Sequence, residues 1–260
     1  MKKLSVVMAV YNEEENIGRC LESIKDIADE IVVVDGNSTD KTVAIAKKYK
    51  AKVMFTKNSE THFHVQKNMA IDAAIGEWIL QLDADEIVPP ELAQEILLTI
   101  NHERSTIDGY WMNRKNWFLS RFLTKGGQYP DPTLRLYRNG KGRLPARDVH
   151  EQAVVEGKTG KLKHDLLHYR DRDFKNYLLR NNRYTSLLAE QFAEQHLSIN
   201  PISCIQYLVL KPVREFLWIY IRHRGYIDGF PGFVFALFSS LRFAIAYIKY
   251  WQITKFPSYD

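Results

Sequence analysis

Cysteine is scarce in this 260-residue chain: Cys20 and Cys204 stand far apart and form neither a disulfide framework nor a metal-binding spacing. A reducing compartment is the simplest reading. Long apolar runs are scarce too. The longest charge-free stretch of the aromatic tail, 229–241, has thirteen residues, short of the roughly 20 that a spanning helix needs. At the N-terminus, "MKKLSVVMAVYNEEEN" has a short apolar run that meets Glu13-Glu14-Glu15 instead of a small-residue cleavage site. It reads as a first β-strand, not a secretory leader. No Gly-rich dinucleotide fingerprint and no phosphate-cradling loop ending in Gly-Lys-Ser/Thr occurs, so the familiar NAD and ATP modes lack support. Internal repeats and low-complexity linkers are absent as well. What is present, 45% hydrophobic residues, suits one sizeable domain or a domain plus an appendage, and excludes a disordered chain.

Charge is distributed unevenly. Lys+Arg against Asp+Glu gives 11 − 17 = −6 for residues 1–100, 18 − 11 = +7 for 101–200 and 7 − 3 = +4 for 201–260. An acidic first part suits a metal, and a basic remainder suits an anionic partner such as phosphate, a lipid headgroup or nucleic acid. Of the 32 Phe, Trp and Tyr residues, 15 lie in the last 60 positions, which points to an interface more than to a second ordinary core.

Residues 4–10, "LSVVMAV", and 30–35, "EIVVVD", are β-branched runs with almost no alternation, as in strands buried on both faces of a parallel sheet. Between them Ile17, Cys20, Leu21 and Ile24 recur at helical spacing. "GNSTDKTVAIAKKY" then supplies a turn, an N-cap at Ser38 or Thr39, and a helix turning Val43, Ala46 and Tyr49 inward. "AKVMF" reads as a strand, "VQKNMAIDAA" as a helix and "EWILQLD" as a further buried strand. The order predicts a doubly wound, mostly parallel α/β sheet. From about residue 101 the texture becomes basic and aromatic, with hairpin-like glycines at 126–127 and 140–142. A long helix is predicted over 172–196, and a helical tail over 201–251, broken at Gly225, Gly229, Pro231 and Gly232.

In open sheets of this kind, ligands bind outside the carboxyl ends of the strands. Tyr11-Asn12-Glu13, Asp35 and Asp83-Ala84-Asp85 all stand there, so they are expected to share one crevice. Side chains at i and i+2 of an extended segment point the same way, so Asp83 and Asp85 present oxygen ligands to one spot. Hard cations such as Mg²⁺ and Mn²⁺ take such ligands and share a substrate diphosphate. Taken alone, Asp-x-Asp is as well explained by an acidic turn opening the next helix, since "DEIVPPEL" has the prolines and acids of a helix start.

Three blocks in order, "LSVVMAVYNEEENIGRCLESI", "DEIVVVDGNSTDKTVAIAKKY" and "QKNMAIDAAIGEWILQLDADEIVPPEL", resemble the family 2 glycosyltransferases of GT-A fold. The resemblance implies a nucleotide-sugar donor, a divalent metal and inversion at the anomeric carbon. It implies that Tyr11, Glu13 and Asp35 hold the nucleoside, usually uridine. Asp83 would reach the ribose or the metal, Asp85 would bind the metal on the diphosphate, and Lys67 would lie near the nucleotide. Alone, Tyr11 could equally pack, Asp35 could cap the helix after it, and Lys67 could be a solvated helix residue. His62 and His64 alternate in "THFHV" and read as surface residues on a strand edge.

Inverting transfer is a single displacement, so a general base must take the acceptor hydroxyl's proton. "RDVHEQAVVEGK" resembles the His-Glu element of lipopolysaccharide-core-type glucosyltransferases. Glu151 is the expected base, His150 lines the site, and Asp148 is the competing carboxylate. His168 resembles a histidine that completes the metal shell in some GT-A enzymes, with a packed imidazole as the alternative. Trp111, Trp117 and Tyr129 could stack on sugar faces or pack a core. Arg135 and Arg138 could hold an acceptor phosphate or form a solvated face. The tail, "KPVREFLWIYIRHRGYIDGFPGFVFALFSSLRFAIAYIKYW", resembles the C-terminal segment of the same subfamily.

The expected organisation is a nucleotide-sugar-binding half over 1–100, an acceptor-binding half over 101–200 and a membrane-associating helical segment over 201–260. The expected activity is transfer of a hexose, glucose from UDP-glucose, to a membrane-borne glycan such as the lipopolysaccharide inner core. A polyprenyl-linked oligosaccharide is the alternative acceptor, and a membrane-bound nucleotide-sugar-binding module without turnover is the alternative class. A receiver-like phosphoacceptor at Asp35 fails, because no acidic pair ends the first strand. The expected location is the cytoplasm, peripherally on the inner face of the cytoplasmic membrane, with no nucleic-acid partner.

Overall fold

The computed structural model describes residues 2–57, 63–102, 106–145, 152–171 and 173–256. The chain forms two compact units, Met1–Lys115 with Asp131–Tyr169, and Asn116–Pro130 with Arg170–Asp260. Both are discontinuous in sequence, whereas the expected segments 1–100, 101–200 and 201–260 are consecutive.

In the first unit β1 (Leu4–Val10), α1 (Ile17–Ile24), β2 (Glu30–Asp35), α2 (Thr42–Lys48), β3 (Lys52–Phe55), α3 (Phe63–Asp72) and β4 (Trp78–Gln81) alternate as the periodicity predicts. All seven residues of β1 are buried. Leu4, Val6, Met8 and Val10 pack with Ile17, Cys20, Leu21 and Ile24 of α1. Val7 faces the other way, with Ala70 and Ile71 of α3. Burial on both faces is why the strand shows no alternation. Strands β1, β2, β3 and β4 are mutually parallel.

The rest of the sheet is antiparallel in part. After β5 (Glu86–Ile87) and α4 (Pro90–Ile100) come β6 (Gly109–Phe118), β7 (Arg121–Phe122), β8 (Asp131–Arg138), β9 (Gly142–Arg143), β10 (Val154–Val155), β11 (Thr159–Lys161) and β12 (Leu166–His168). The order is β3-β2-β1-β4-β8-β6-β12-β5, with β9 and β10 forming a separate ribbon. β8 runs antiparallel to β4 and to β6, and β12 antiparallel to β5. The order reverses direction at β1, and the carboxyl ends of β1, β2 and β4 meet there.

Two local expectations are corrected. Ser38 and Thr39 do not cap α2, because their groups are engaged elsewhere: Ser38 bonds Asp35 and the Thr39 N–H bonds Asn12. His64 lies in a helix, not on a strand edge, and is buried, while His62 falls outside the described residues.

The second unit holds α5 (Phe174–Glu194), whose first turn is capped by Asp173 accepting from the Asn176 N–H at 2.8 Å. There follow α6 (Pro201–Ile205), a π-helical turn at Gln206–Leu210, α7 (Lys211–Leu217), a second π turn at Trp218–Arg222, a 3-10 turn at Gly225–Asp228 and α8 (Gly229–Lys255). Pro231 and Gly232 open α8 and do not break it, since the first turn has no use for the missing N–H. A Cβ on Gly232 would lie 2.0 Å from the Gly225 carbonyl oxygen, so only glycine fits there. Many tail aromatics build a core after all: Tyr207 stacks on Tyr247 at 5.3 Å between centroids, and Phe192 and Tyr250 join them. The run Gly225–Lys255 contains an 18-residue stretch of mean hydropathy 1.6, so by length and composition it is long and apolar enough to cross a membrane.

Candidate active site

The loops leaving β1 and β2 are laced together by hydrogen bonds. The Asn12 N–H donates to Ser38 Oγ, and the Thr39 N–H donates to Asn12 Oδ1, each at 2.8 Å. The Glu13 N–H donates to Thr42 Oγ1 at 2.7 Å and the Lys41 N–H to Glu14 Oε2 at 3.0 Å. This lacing holds Asn12 and Asn37 at φ 53° and 63°, left-handed values that Asn tolerates better than most residues. Asp35, fully buried, accepts from the Ser38 N–H at 2.8 Å and from Ser38 Oγ at 2.6 Å. Glu13 accepts from the Asn16 side-chain amide at 2.7 Å. Tyr11, directly after the end of β1, is exposed. The adjacency of Tyr11, Glu13 and Asp35 thus follows from parallel register, because Val10 pairs with Asp35.

Asp83 leaves β4 on a turn closed from both ends. Its N–H donates to Glu86 Oε2 at 2.9 Å, and the Glu86 N–H returns to its carbonyl at 3.0 Å. The Asp83 carboxylate meets Lys67 Nζ at 2.5 Å and Arg135 Nη2 at 2.6 Å. Burial alone would raise its pKa, but the Arg135 guanidinium and the Lys67 ammonium outweigh burial and hold it well below the ordinary carboxylate range. Lys67 therefore sits on Asp83. Arg135 continues to Glu86 Oε1 at 2.7 Å, and Arg114 joins Glu86 at 3.4 Å to Asp131 at 2.9 Å. Three cations and three carboxylates alternate in one chain of ion pairs. Glu86 is fully buried within it.

Asp85 is presented differently. Its carbonyl accepts from the Tyr169 N–H at 2.9 Å, and its carboxylate oxygen lies 3.3 Å from His168 Nε2. The β5–β12 ladder explains this, since His168 pairs with Glu86 in the register. Of the two Asp-x-Asp carboxylates, Asp83 is occupied by cations and Asp85 is paired with an imidazole. A carboxylate and an imidazole on one side fit a divalent ion that keeps waters or diphosphate oxygens on the other. Among the described residues no group of three or more His, Cys, Asp and Glu forms a closed metal cage.

Several expectations change. Arg135 is buried against Asp83 and Glu86, so it cannot hold an acceptor phosphate. Arg138 pairs with Glu77 at 2.6 Å and stacks over Trp78. Trp111 is half-buried against a core cluster. Glu151, His150 and Asp148 lie outside the described residues. The sequence reading missed Glu86 and Arg114. An acid beside Asp-x-Asp was the only signal, and nothing in the chain links position 86 to 114 or 135.

A parallel half, an Asp-x-Asp turn at the strand ends and an antiparallel second half define a glycosyltransferase of GT-A fold. Residues 5–153 match the family described as Glycosyl transferase family 2, and the chain belongs to that family. Lipopolysaccharide core biosynthesis glycosyltransferase LpsC of Rhizobium meliloti is 30% identical over 254 residues, spanning 96% of this chain and 92% of that protein. An uncharacterized glycosyltransferase of Rickettsia typhi, RT0209, is 30% identical over 259 residues, spanning 95% and 84%. Among solved structures, mannosyltransferase PcManGT from Pyrobaculum calidifontis, in complex with GDP-Man and Mn²⁺, covers 96% of this chain and 87% of its own, at a TM-score of 0.53 and 14% identity. S. aureus TarS 1–349 in complex with UDP-GlcNAc covers 95% and 88%, at 0.51 and 18%. At these identities the likeness to the solved structures concerns the fold.

Proposed function

We propose that this glycosyltransferase is an inverting, metal-dependent hexosyltransferase. It moves glucose from UDP-glucose to a membrane-borne glycan such as the lipopolysaccharide inner core, at the inner face of the cytoplasmic membrane. The observation that carries the reading is the meeting of Asp85 and His168 at 3.3 Å beside the laced β1 and β2 loops. The similarity to LpsC, a lipopolysaccharide core biosynthesis glycosyltransferase, supports the acceptor class.

In this reading Tyr11, Glu13 and Asp35 hold the nucleoside, Asp83 reaches the ribose with its position set by Lys67 and Arg135, and Asp85 with His168 holds the ion. When bound, the ion neutralises charge developing on the diphosphate leaving group. The acceptor hydroxyl oxygen attacks the anomeric carbon as the bond from that carbon to the diphosphate oxygen breaks. The electron pair leaves with UDP, the configuration inverts, and Glu151 takes the hydroxyl proton. The test is UDP release from UDP-glucose with Mn²⁺ and a glycolipid extract, run against a panel of nucleotide sugars and against a polyprenyl-linked acceptor. Faster release from another nucleotide sugar replaces the donor. A preference for the polyprenyl-linked acceptor replaces the acceptor, and no release with any pair removes the enzymatic reading.

A further inference from the structure

From Pro201 to Arg222 the second unit runs as one helical arm with a four-residue exposed repeat. Ile205, Val209, Val213, Leu217 and Ile221 are each between 50% and 56% exposed. In an α-helix a four-residue step overshoots one turn by about 40°, so four steps would carry Ile221 roughly 160° away from Ile205. The π turns at Gln206–Leu210 and Trp218–Arg222 each take up about one extra residue and offset most of that drift. The stripe therefore stays on one side for about 25 Å. The first π turn has a local cause: Pro212 follows it and has no N–H to give to a tight helical turn. The opposite side buries Tyr207, Pro212 and Ile219.

An unpartnered apolar stripe of this length needs an occupant, and the charges around it point to one. Residues 196–227 carry four basic residues, Lys211, Arg214, Arg222 and Arg224, against one acid, Glu215. Glu215 is already held by Arg242 at 2.8 Å, and Arg214, Arg222 and Arg224 are exposed. Trp218 is 53% exposed beside the stripe, and Phe230 is 72% exposed after the arm. Aliphatic residues on one face, exposed arginines and no free acid are what an anionic bilayer surface takes up, with guanidinium groups reaching the headgroups while the stripe enters the acyl boundary.

The long apolar helix α8 is occupied otherwise. Between residues 234 and 247 only Arg242 is exposed. Lys249 Nζ bonds the Asn182 carbonyl, Asn182 Oδ1, Thr185 Oγ1 and Ser186 Oγ at 2.6–2.9 Å. Leaving the protein for a bilayer would strip those bonds from an ammonium group.

We propose that the 201–222 arm is the membrane-docking element, lying flat on an anionic lipid surface, with α8 as its support and not as a transmembrane span. This deepens the membrane location proposed above and rests on it. The test uses the full-length protein and phosphatidylcholine vesicles, with and without phosphatidylglycerol, free of glycolipid and nucleotide. Wild type floats with the anionic vesicles, and Val209→Asp/Val213→Asp lowers partitioning at least tenfold with an unchanged melting temperature, both sites being exposed. Brominated acyl chains quench Trp218, and Trp218→Phe removes that quenching. Four results overturn the proposal: wild type that does not float; the double variant floating as well as wild type; resistance to alkaline carbonate, which would mean that α8 crosses; or a wild-type dimer that the double variant dissociates with no Trp218 quenching by lipid. Because activity is not read, a protein that binds vesicles but gives no release with any donor and acceptor pair overturns the enzymatic reading and leaves the docking element standing.

Discussion

Arg135→Met tests the ion-pair chain behind the Asp-x-Asp turn. The side chain of Arg135 is 8% exposed and bridges Asp83 at 2.6 Å and Glu86 at 2.7 Å. Breaking a buried pair from one side costs about 3–5 kcal/mol, because the stranded charge stays desolvated. Here both stranded acids keep a second cation, Lys67 at 2.5 Å for Asp83 and Arg114 at 3.4 Å for Glu86, so the lower end, about 3 kcal/mol, is expected. For a chain of this size that corresponds to a melting temperature lower by roughly 6–12 °C. Glu86→Gln, which keeps the shape and removes the charge, relieves part of the loss when combined with Arg135→Met. The cycle should return a coupling of at least about 1.5 kcal/mol. Urea and thermal denaturation of the four proteins supply the cycle, and UDP titration shows whether donor binding weakens with it. A single Arg135→Met variant that melts within a degree of wild type, or a coupling near zero, would refute the view that Arg135 and Glu86 belong to one chain of buried ion pairs.

Asp85→Ala is expected to abolish transfer and leave the fold intact, since its side chain is 21% exposed at the crevice; near-normal turnover with Mn²⁺ would remove its metal role, and melting temperature checks the fold. Glu151→Gln should lower turnover by roughly 10²–10⁴-fold with donor affinity little changed, and Asp148→Asn is the control; a silent Asp148→Asn beside an active Glu151→Gln would transfer the base to Asp148. The folded-state pKa of Asp83 lies well below the ordinary value, so its stabilisation is fully present above the unfolded-state value near 4 and is lost only as pH falls through the folded value. Stability measured from pH 8 to 2 should therefore show no loss from this group above about pH 4. In Arg135→Met, where one cation is gone and the folded value lies closer to the unfolded one, that loss should be smaller and complete at higher pH. Identical acid limbs in the two proteins would contradict the assignment.

Sequence periodicity was sufficient where local pattern and burial coincide. The unalternating runs of β1 and β2, the 17-20-21-24 spacing of α1 and the strand-end acids are each set by neighbours a few residues apart, and the parallel half of the sheet was legible from them. Ion pairing was not legible, because what an acid or a base does depends on which remote group the sheet register brings to it. Asp83 and Asp85 are separated by a single residue, yet register places two cations on the first and His168 on the second. Arg135 looked like a surface cation until β8 carried it inward against Glu86. The tail shows the same division. Its composition marked it as apolar and basic, but only the packing of α8 and the two π turns decided which aromatics became core and which aliphatic residues stayed on one exposed side. Hydropathy counts residues, whereas burial depends on the phase of a helix against its neighbours, and that phase exists only once the chain has folded.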